Sequence, residues 1–325
     1  MATLNNIQAI NQTLAEQMEK DPKVVVYGED VGHEGGVFRA TVGLQKKFGS
    51  KRCFDTPVSE AGLVGAGVGM AVNGLKPVAE IQFSGFMLPA FNQIVAHVSR
   101  MRNRSRGKYN VPMVIRMPYG GGIRALEHHS ESQEALFGHI PGLKVVIPST
   151  PYDTKGLLTS AIQDPDPVIF MEPKRIYRAF KQEVPDEEFT IPIGKAKVVK
   201  SGTDITVVAW GAMVREVQKA IKTLEEEGIS VELIDLRTIS PIDQTTIIES
   251  VQKTGRFLVV HEAVRSFGPG AELIALVNQH AFLSLEAPPS RLTGFDIIVP
   301  LDKGEHHYLI NPQRIIYEIK KIIKF

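Results

Sequence analysis

The sequence predicts an α/β protein of two units, each built on a mainly parallel sheet covered by helices. Three observations predict it. Short apolar runs alternate with amphipathic stretches of helical period along the whole chain. Several of these runs stop at a glycine or an acid, the edge where an open α/β sheet gathers its ligands. Residues 181–195 carry Pro185, Asp186, Glu187, Glu188, Pro192 and Gly194, a composition that suits a linker. A length of 325 residues also fits two domains. The expected division is 1–185, a linker at 186–197, and 198–325.

Taken in order, residues 4–20 place Leu4, Ile7, Ile10, Leu14 and Met18 at helical spacing. The run 23–28 reads as a buried strand closed by Gly28, with Glu29 and Asp30 at its carboxyl end. A loop with Gly35-Gly36 leads to a short helix ending near Phe48-Gly49, and a second short strand ends at 54–57. The helix after Glu60 carries Ala61, Gly65 and Gly69 on one face, which suggests a close helix–helix contact between domains or subunits. Residues 76–83 form the next strand, 88–98 a helix and 111–116 a strand. Gly120-Gly121-Gly122 then lets backbone approach a neighbour closely. A strand at 141–148, a helix at 154–163 and a strand at 168–172 complete the first unit. The second unit reads as strands at 205–209, 231–236 and 257–260, helices at 213–227 and 244–254, a helix opened by Gly268-Pro269-Gly270, and a terminal helix at 315–325.

Composition narrows the function. Hydrophobic residues make up 43% and charged residues 22%, the balance of a water-soluble globular protein. A formal net charge of +1 directs the chain neither to nucleic acid nor to an anionic membrane. Cys53 is alone, so no intrachain disulfide forms; a reducing, cytoplasmic setting is expected. Residues 1–20 lack the apolar core of a signal peptide, and no apolar run approaches the ~18 residues of a membrane span.

The chemistry-bearing residues each have two readings. Glu60 begins a helix: it is either a capping acid or a general acid/base in a dry pocket. Glu29 and Asp30 are either solvated loop acids or ligands at a sheet edge. Phe86 is either a core aromatic or a stacking platform for a flat ring. Of the adjacent His128 and His129, one is either structural or an acid/base. Neighbouring helical residues point about 100° apart, and no cysteine or HExxH pattern supports a metal there. The cluster Arg100, Arg102, Arg104, Arg106 and Lys108 reads as solvated or locally paired. There is no Walker A motif, no GxGxxG after a strand and no GxSxG elbow. An acid, an aromatic platform and a histidine without a phosphate site make half of an active site.

These residues lie in stretches that resemble the β subunit of the E1 component of 2-oxo acid dehydrogenase complexes, the thiamine diphosphate-dependent decarboxylases. The stretches are Gly28-Glu29-Asp30-Val31-Gly32, Gly35-Gly36-Val37-Phe38-Arg39, Phe54-Asp55-Thr56-Pro57 with Ser59-Glu60, Glu80-Ile81-Gln82-Phe83 with Phe86, His129-Ser130, 141–146 and Asp235-Leu236-Arg237-Thr238. They run through both units, and the pattern is most similar to bacterial pyruvate dehydrogenase E1 β subunits. Branched-chain 2-oxo acid and acetoin complexes are the nearest alternatives, and a transketolase-type carboligase is a more distant one.

The resemblance implies a pyrimidine-binding domain followed by a transketolase C-terminal-type domain. It implies a heterotetramer of two α and two β subunits, with thiamine diphosphate at each α–β interface. Mg2+ and the diphosphate would be held by a Gly-Asp-Gly motif of the α subunit, which this chain lacks. It implies that Glu60 hydrogen-bonds N1′ of the aminopyrimidine, that Phe86 stacks on that ring, and that Glu29 and Gln82 lie near the cofactor. His129 would handle substrate and acyl transfer to the lipoyl group. A K+ ion held by backbone carbonyls would fall at Met113, Ala161, Ile162, Asp164 and Asp166. Glu286 and the carboxylate of Phe325 would meet the subunit-binding domain of the E2 acyltransferase, whose lipoyl domain receives the acyl group.

Overall fold

The computed structural model describes Met1–Phe325. The first unit runs β1 (Ala2–Leu4), α1 (Asn6–Lys20), β2 (Val24–Gly28), α2 (Leu44–Phe48), β3 (Cys53–Asp55), α3 (Glu60–Val72) and β4 (Lys76–Glu80). A 3-10 turn (Ser84–Ala90), α4 (Phe91–Gln93), a π turn (Ile94–Val98) and α5 (Met101–Arg104) follow. It continues with β5 (Val114–Tyr119), α6 (Glu134–Gly138), β6 (Lys144–Val146), α7 (Pro151–Gln163), β7 (Val168–Pro173) and β8 (Gln182–Val184). The second unit runs β9 (Lys197–Lys200), β10 (Ile205–Ala209), α8 (Ala212–Glu226), β11 (Val231–Asp235), β12 (Thr238–Ser240) and α9 (Gln244–Thr254). β13 (Phe257–Val260), α10 (Pro269–Ala281), β14 (Ser290–Leu292), α11 (Asp302–Tyr308) and α12 (Pro312–Ile323) complete it.

Local chemistry sets the helix ends. Asn5 and Gln8 form a capping box at the start of α1. Thr150 caps α7 and Asn311 caps α12, each followed by proline at the first helical position, where its missing N–H costs nothing. Gly255 ends α9 in the left-handed conformation. The buried face of α1, with Ile10, Leu14 and Met18, packs on α7 against the first sheet. Each such side chain contributes roughly 1.5–3 kcal/mol by leaving water.

The strands assemble into two main sheets. The seven-stranded sheet has the order β12-β6-β7-β5-β4-β2-β3, and the five-stranded sheet the order β14-β13-β10-β11-β9. All pairs within them are parallel except β12 with β6 and β9 with β11. The central strands are buried on both faces, in keeping with their mostly apolar sequences. One hydrophobic cluster runs through both units, from Tyr27 and Ile115 to Trp210, Ile234 and Leu273. No helix is long and apolar enough to cross a membrane.

Four readings of the sequence change or gain detail. Leu4 is not on α1: it lies in β1, which pairs antiparallel with β8. Residues 181–195, whose composition suits a linker, are also tied to the first unit: they contribute β8 and Ile191, whose N–H donates to Gly156 O. The stretch 88–98 is a composite of 3-10, α and π turns around Pro89, which cannot donate to a regular ladder. Strand β12 went unseen: it leaves the second unit and adds to the edge of the first unit's sheet.

Candidate active site

The carboxyl ends of β2, β3, β4 and β5 lie side by side, because those strands are parallel neighbours. Ligands of open α/β sheets collect at this edge. Glu29 follows β2, Glu60 opens α3 after β3, Gln82 and Phe86 follow β4, and His129 follows β5.

The cap of α3 is Ser59, whose Oγ accepts from Gly62 N–H at 3.3 Å. Glu60 is therefore the first helical residue and not the cap. Its half-buried carboxylate has no hydrogen-bond partner within the chain and stands in the positive field of the helix start. Glu29 is 4% exposed, and its Oε1 has no partner. Burial first, and then the charge of Glu60, push the Glu29 carboxyl up from its ordinary range. A buried carboxyl oxygen without a donor, beside a second acid, fits a ligand that presents ring nitrogens or an amine.

Three rings pack together in the segments that follow β4 and β5. Phe83 and Phe86 meet edge to face at 5.5 Å between centroids, Phe86 and His129 at 5.0 Å, and Phe83 and His129 at 4.3 Å. Phe86 is half-buried: it packs against the hydrophobic core and leaves part of its ring open. His129 Nδ1 lies 2.8 Å from Glu127 O. A carbonyl only accepts, so Nδ1 carries the proton and Nε2 is free to take or give another. His128 faces away and pairs with Glu131 at 3.8 Å. Gly85 makes this packing available: a Cβ there would sit 2.0 Å from His128 O.

Gln82 has an intrachain partner, since its Nε2 donates to Asp30 Oδ2 at 2.9 Å. The carbonyl positions 113 and 161–166 lie apart from these residues, around the C-terminal end of α7. Pro165 and Pro167 have no N–H, and Asp166 N–H donates to Asp164 Oδ1, so the last carbonyls of α7 at Ala161 and Ile162 lack a following backbone donor. Met113 O accepts from Val168 N–H at 2.9 Å, and Lys144 Nζ pairs with the Asp164 carboxylate at 2.6 Å. Glu286 pairs with Arg256 at 2.7 Å yet remains largely exposed, as does Phe325. No group of three or more His, Cys, Asp or Glu side chains converges to hold a metal ion.

Sequence reasoning missed the buried charge beneath the site. Arg116 donates through Nη1 to Glu80 at 2.8 Å and through Nε to Glu172 at 2.7 Å, and Tyr177 donates to Glu172 at 2.5 Å. The signal was one cation and two acids inside otherwise apolar strands, a pattern that balances only if they meet. It also missed Lys174, 3% exposed and without a hydrogen-bond partner, whose ammonium burial pushes down to about 7. Of the small residues on α3, Gly65 faces Gln93 of the same chain, while Gly62, Ala66 and Gly69 form the open line.

Comparison with known proteins accounts for this arrangement. Residues 2–179 match the family Transketolase, pyrimidine binding domain, and residues 194–315 match Transketolase, C-terminal domain. The chain is 66% identical over 324 residues to the pyruvate dehydrogenase E1 component subunit beta of Acholeplasma laidlawii, covering 100% of this chain and 99% of the relative. It is 52% identical over 320 residues to the protein of that name from Mycoplasma pneumoniae, covering 98% of each. It is 49% identical over 325 residues to that of Bacillus subtilis, covering 100% of each. A solved structure described as split gene transketolase, inactive beta4 tetramer, shares the fold at a TM-score of 0.81 and 22% identity, over 99% of each chain. Two transketolase-type domains and this identity over the full length place the chain in the family of pyruvate dehydrogenase E1 component β subunits.

Proposed function

We propose that this chain is the β half of a pyruvate dehydrogenase E1 component. With an α subunit it would decarboxylate pyruvate and pass the acetyl group to the lipoyl group of E2, towards acetyl-CoA and CO2. The observation that carries the reading is that Glu29, with one buried oxygen left without a donor, and Glu60 share a sheet edge with the packed rings of Phe83, Phe86 and His129. Thiamine diphosphate, when bound, supplies an acceptor for the electron pair released as CO2 departs.

The surroundings of the chain's own residues support a role for each. Glu60 offers a carboxylate at a helix start to a ring nitrogen of the aminopyrimidine. Phe86 presents a half-buried ring for stacking. Glu29, its carboxyl pushed up from the ordinary range by burial and then by the charge of Glu60, places a second acid beside that pair. Gln82 holds Asp30 at the rim. His129, with Nδ1 committed to Glu127 O, directs Nε2 to substrate and acyl group. Mg2+ and the diphosphate are assigned to the α subunit.

The carbonyls left over at the end of α7 support K+ at Met113, Ala161, Ile162, Asp164 and Asp166, since a carbonyl cluster at a helix C-terminus favours a cation. The open line Gly62, Ala66 and Gly69 supports close packing of α3 on another subunit in a heterotetramer of two α and two β chains. The exposed Glu286 and Phe325 support an acidic surface for the E2 subunit-binding domain. Reversing the charge at Glu286 should weaken E2 affinity at low salt.

The test is co-purification with the α subunit, then decarboxylation of pyruvate and of 3-methyl-2-oxobutanoate with and without thiamine diphosphate and Mg2+. Cofactor-dependent turnover of pyruvate only when α is present is the expected result. Preference for the branched acid would move the chain to a branched-chain complex. Turnover by this chain alone would remove the half-site reading.

A further inference from the structure

The loop that carries His129 is gripped from the other unit. Its neck is closed by Gly120 N–H donating to Glu131 O at 2.8 Å. Just inside the neck, three backbone N–H groups point at two carboxylates of the second unit. Gly121 N–H donates to Glu262 Oε1, Gly122 N–H to Glu305 Oε1 at 2.8 Å, and Arg124 N–H to Glu305 Oε2 at 3.0 Å. Successive N–H groups of this kind form a nest for an anion, and here the anions are side chains of the same protein. Both are buried, Glu262 at 7% and Glu305 at 4% exposure, so each bond is made in a low dielectric.

The triple glycine is a requirement of this grip. A Cβ at Gly121 would lie 3.2 Å from Glu305 Oε1 and 3.3 Å from Glu262 Oε1, and one at Gly122 would lie 2.7 Å from Arg175 Cδ. Gly120 and Gly122 have φ of 80° and 92°. Arg124, at φ 56°, is held in the left-handed region without being glycine, a strain that persists only where the surroundings fix it. On its other side the loop rests on Ser84, whose Oγ donates to Glu131 O at 3.1 Å, and on Phe83 and Phe86 through His129.

We infer that Glu262 and Glu305 are positioning residues for His129: the second unit holds the strap 120–124 and so fixes where the imidazole meets the rings of Phe83 and Phe86. The inference rests on the role proposed for His129. It gives the C-terminal domain a part in turnover through a loop of the first unit that its carboxylates hold. Glu305 serves two N–H groups with two oxygens, so a glutamine there keeps one acceptor and turns a donor toward the other amide.

The experiment compares Glu305→Ala, Glu305→Gln and His129→Ala, each reconstituted with the α subunit. Three quantities are read: amide hydrogen exchange across 120–131, kcat and KM for pyruvate, and thiamine diphosphate affinity. The expected result is faster exchange across 120–131 in both Glu305 variants, greater for alanine than for glutamine. With it kcat should fall toward the roughly 100-fold loss that a small misplacement causes, while KM and cofactor affinity hold. Unchanged exchange in Glu305→Ala overturns the grip. Faster exchange with unchanged kcat, while His129→Ala is impaired, overturns the positioning role. Wild-type turnover by His129→Ala overturns the role of His129 and the purpose of the grip with it. That outcome is told apart because exchange still rises in Glu305→Ala.

Discussion

Trp210 Nε1 donates to Glu134 Oε1 at 3.1 Å, joining the end of β10 in the second unit to α6 in the first. Glu134 is fully buried and its other oxygen has no partner. Burial pushes its carboxyl up to about 7, against the opposing pull of its own backbone N–H and of Trp210. The folded state therefore holds a proton there that the unfolded chain releases near its ordinary value of 4.5. Stability from this group is present at low pH and is lost as pH rises through about 7. Glu134→Gln keeps an acceptor for Trp210 and removes the titration. Its melting temperature relative to wild type should climb between pH 5 and pH 8, by an amount on the order of a few kcal/mol in stability. A constant offset across that range would contradict the assignment.

Arg116 is the next case. Arg116→Ala strands Glu80 and Glu172 as buried acids, leaving Tyr177 as the sole donor to Glu172. The loss should be about 3–5 kcal/mol in denaturant melts at neutral pH. It should shrink as pH falls, because protonation removes the uncompensated charges.

Glu60→Gln should leave folding intact, since Ser59 and not Glu60 caps α3. Turnover of the complex with α should fall by about 100- to 10,000-fold, the range for a positioned acid/base. Near-normal turnover would mean that this chain serves only as a scaffold.

Ala66→Phe places a ring on the open line of α3, where it costs the isolated chain well under 1 kcal/mol in helix propensity. Light scattering of the mixture with the α subunit should then show free subunits in place of the complex. A normal complex would show that α3 is not an interface.

Much of this was legible in the sequence for a physical reason. Parallel strands buried on both faces, such as Val24–Gly28, are mostly apolar, and their carboxyl ends mark the site edge. That logic places Glu29, Glu60, Phe86 and His129 on one edge. What was hidden depends on partners far along the chain. Leu4 has helical spacing, and only its pairing with Gln182 makes it a strand residue. Glu305 is one more acid on a charged helix until Gly122 and Arg124 are brought to it. Nothing local reveals Asp30 as the partner of Gln82.

The crossing of β12 into the first sheet also has a consequence for synthesis. On the ribosome, β6 at Lys144–Val146 emerges well before Thr238–Ser240, which will cover its free edge. At ~5–20 residues per second the edge waits on the order of ten seconds with its ladder groups open. A nascent first unit therefore carries a sticky strand that only its own downstream chain can seal. A ribosome stalled between the two units would release a fragment primed to aggregate through β6.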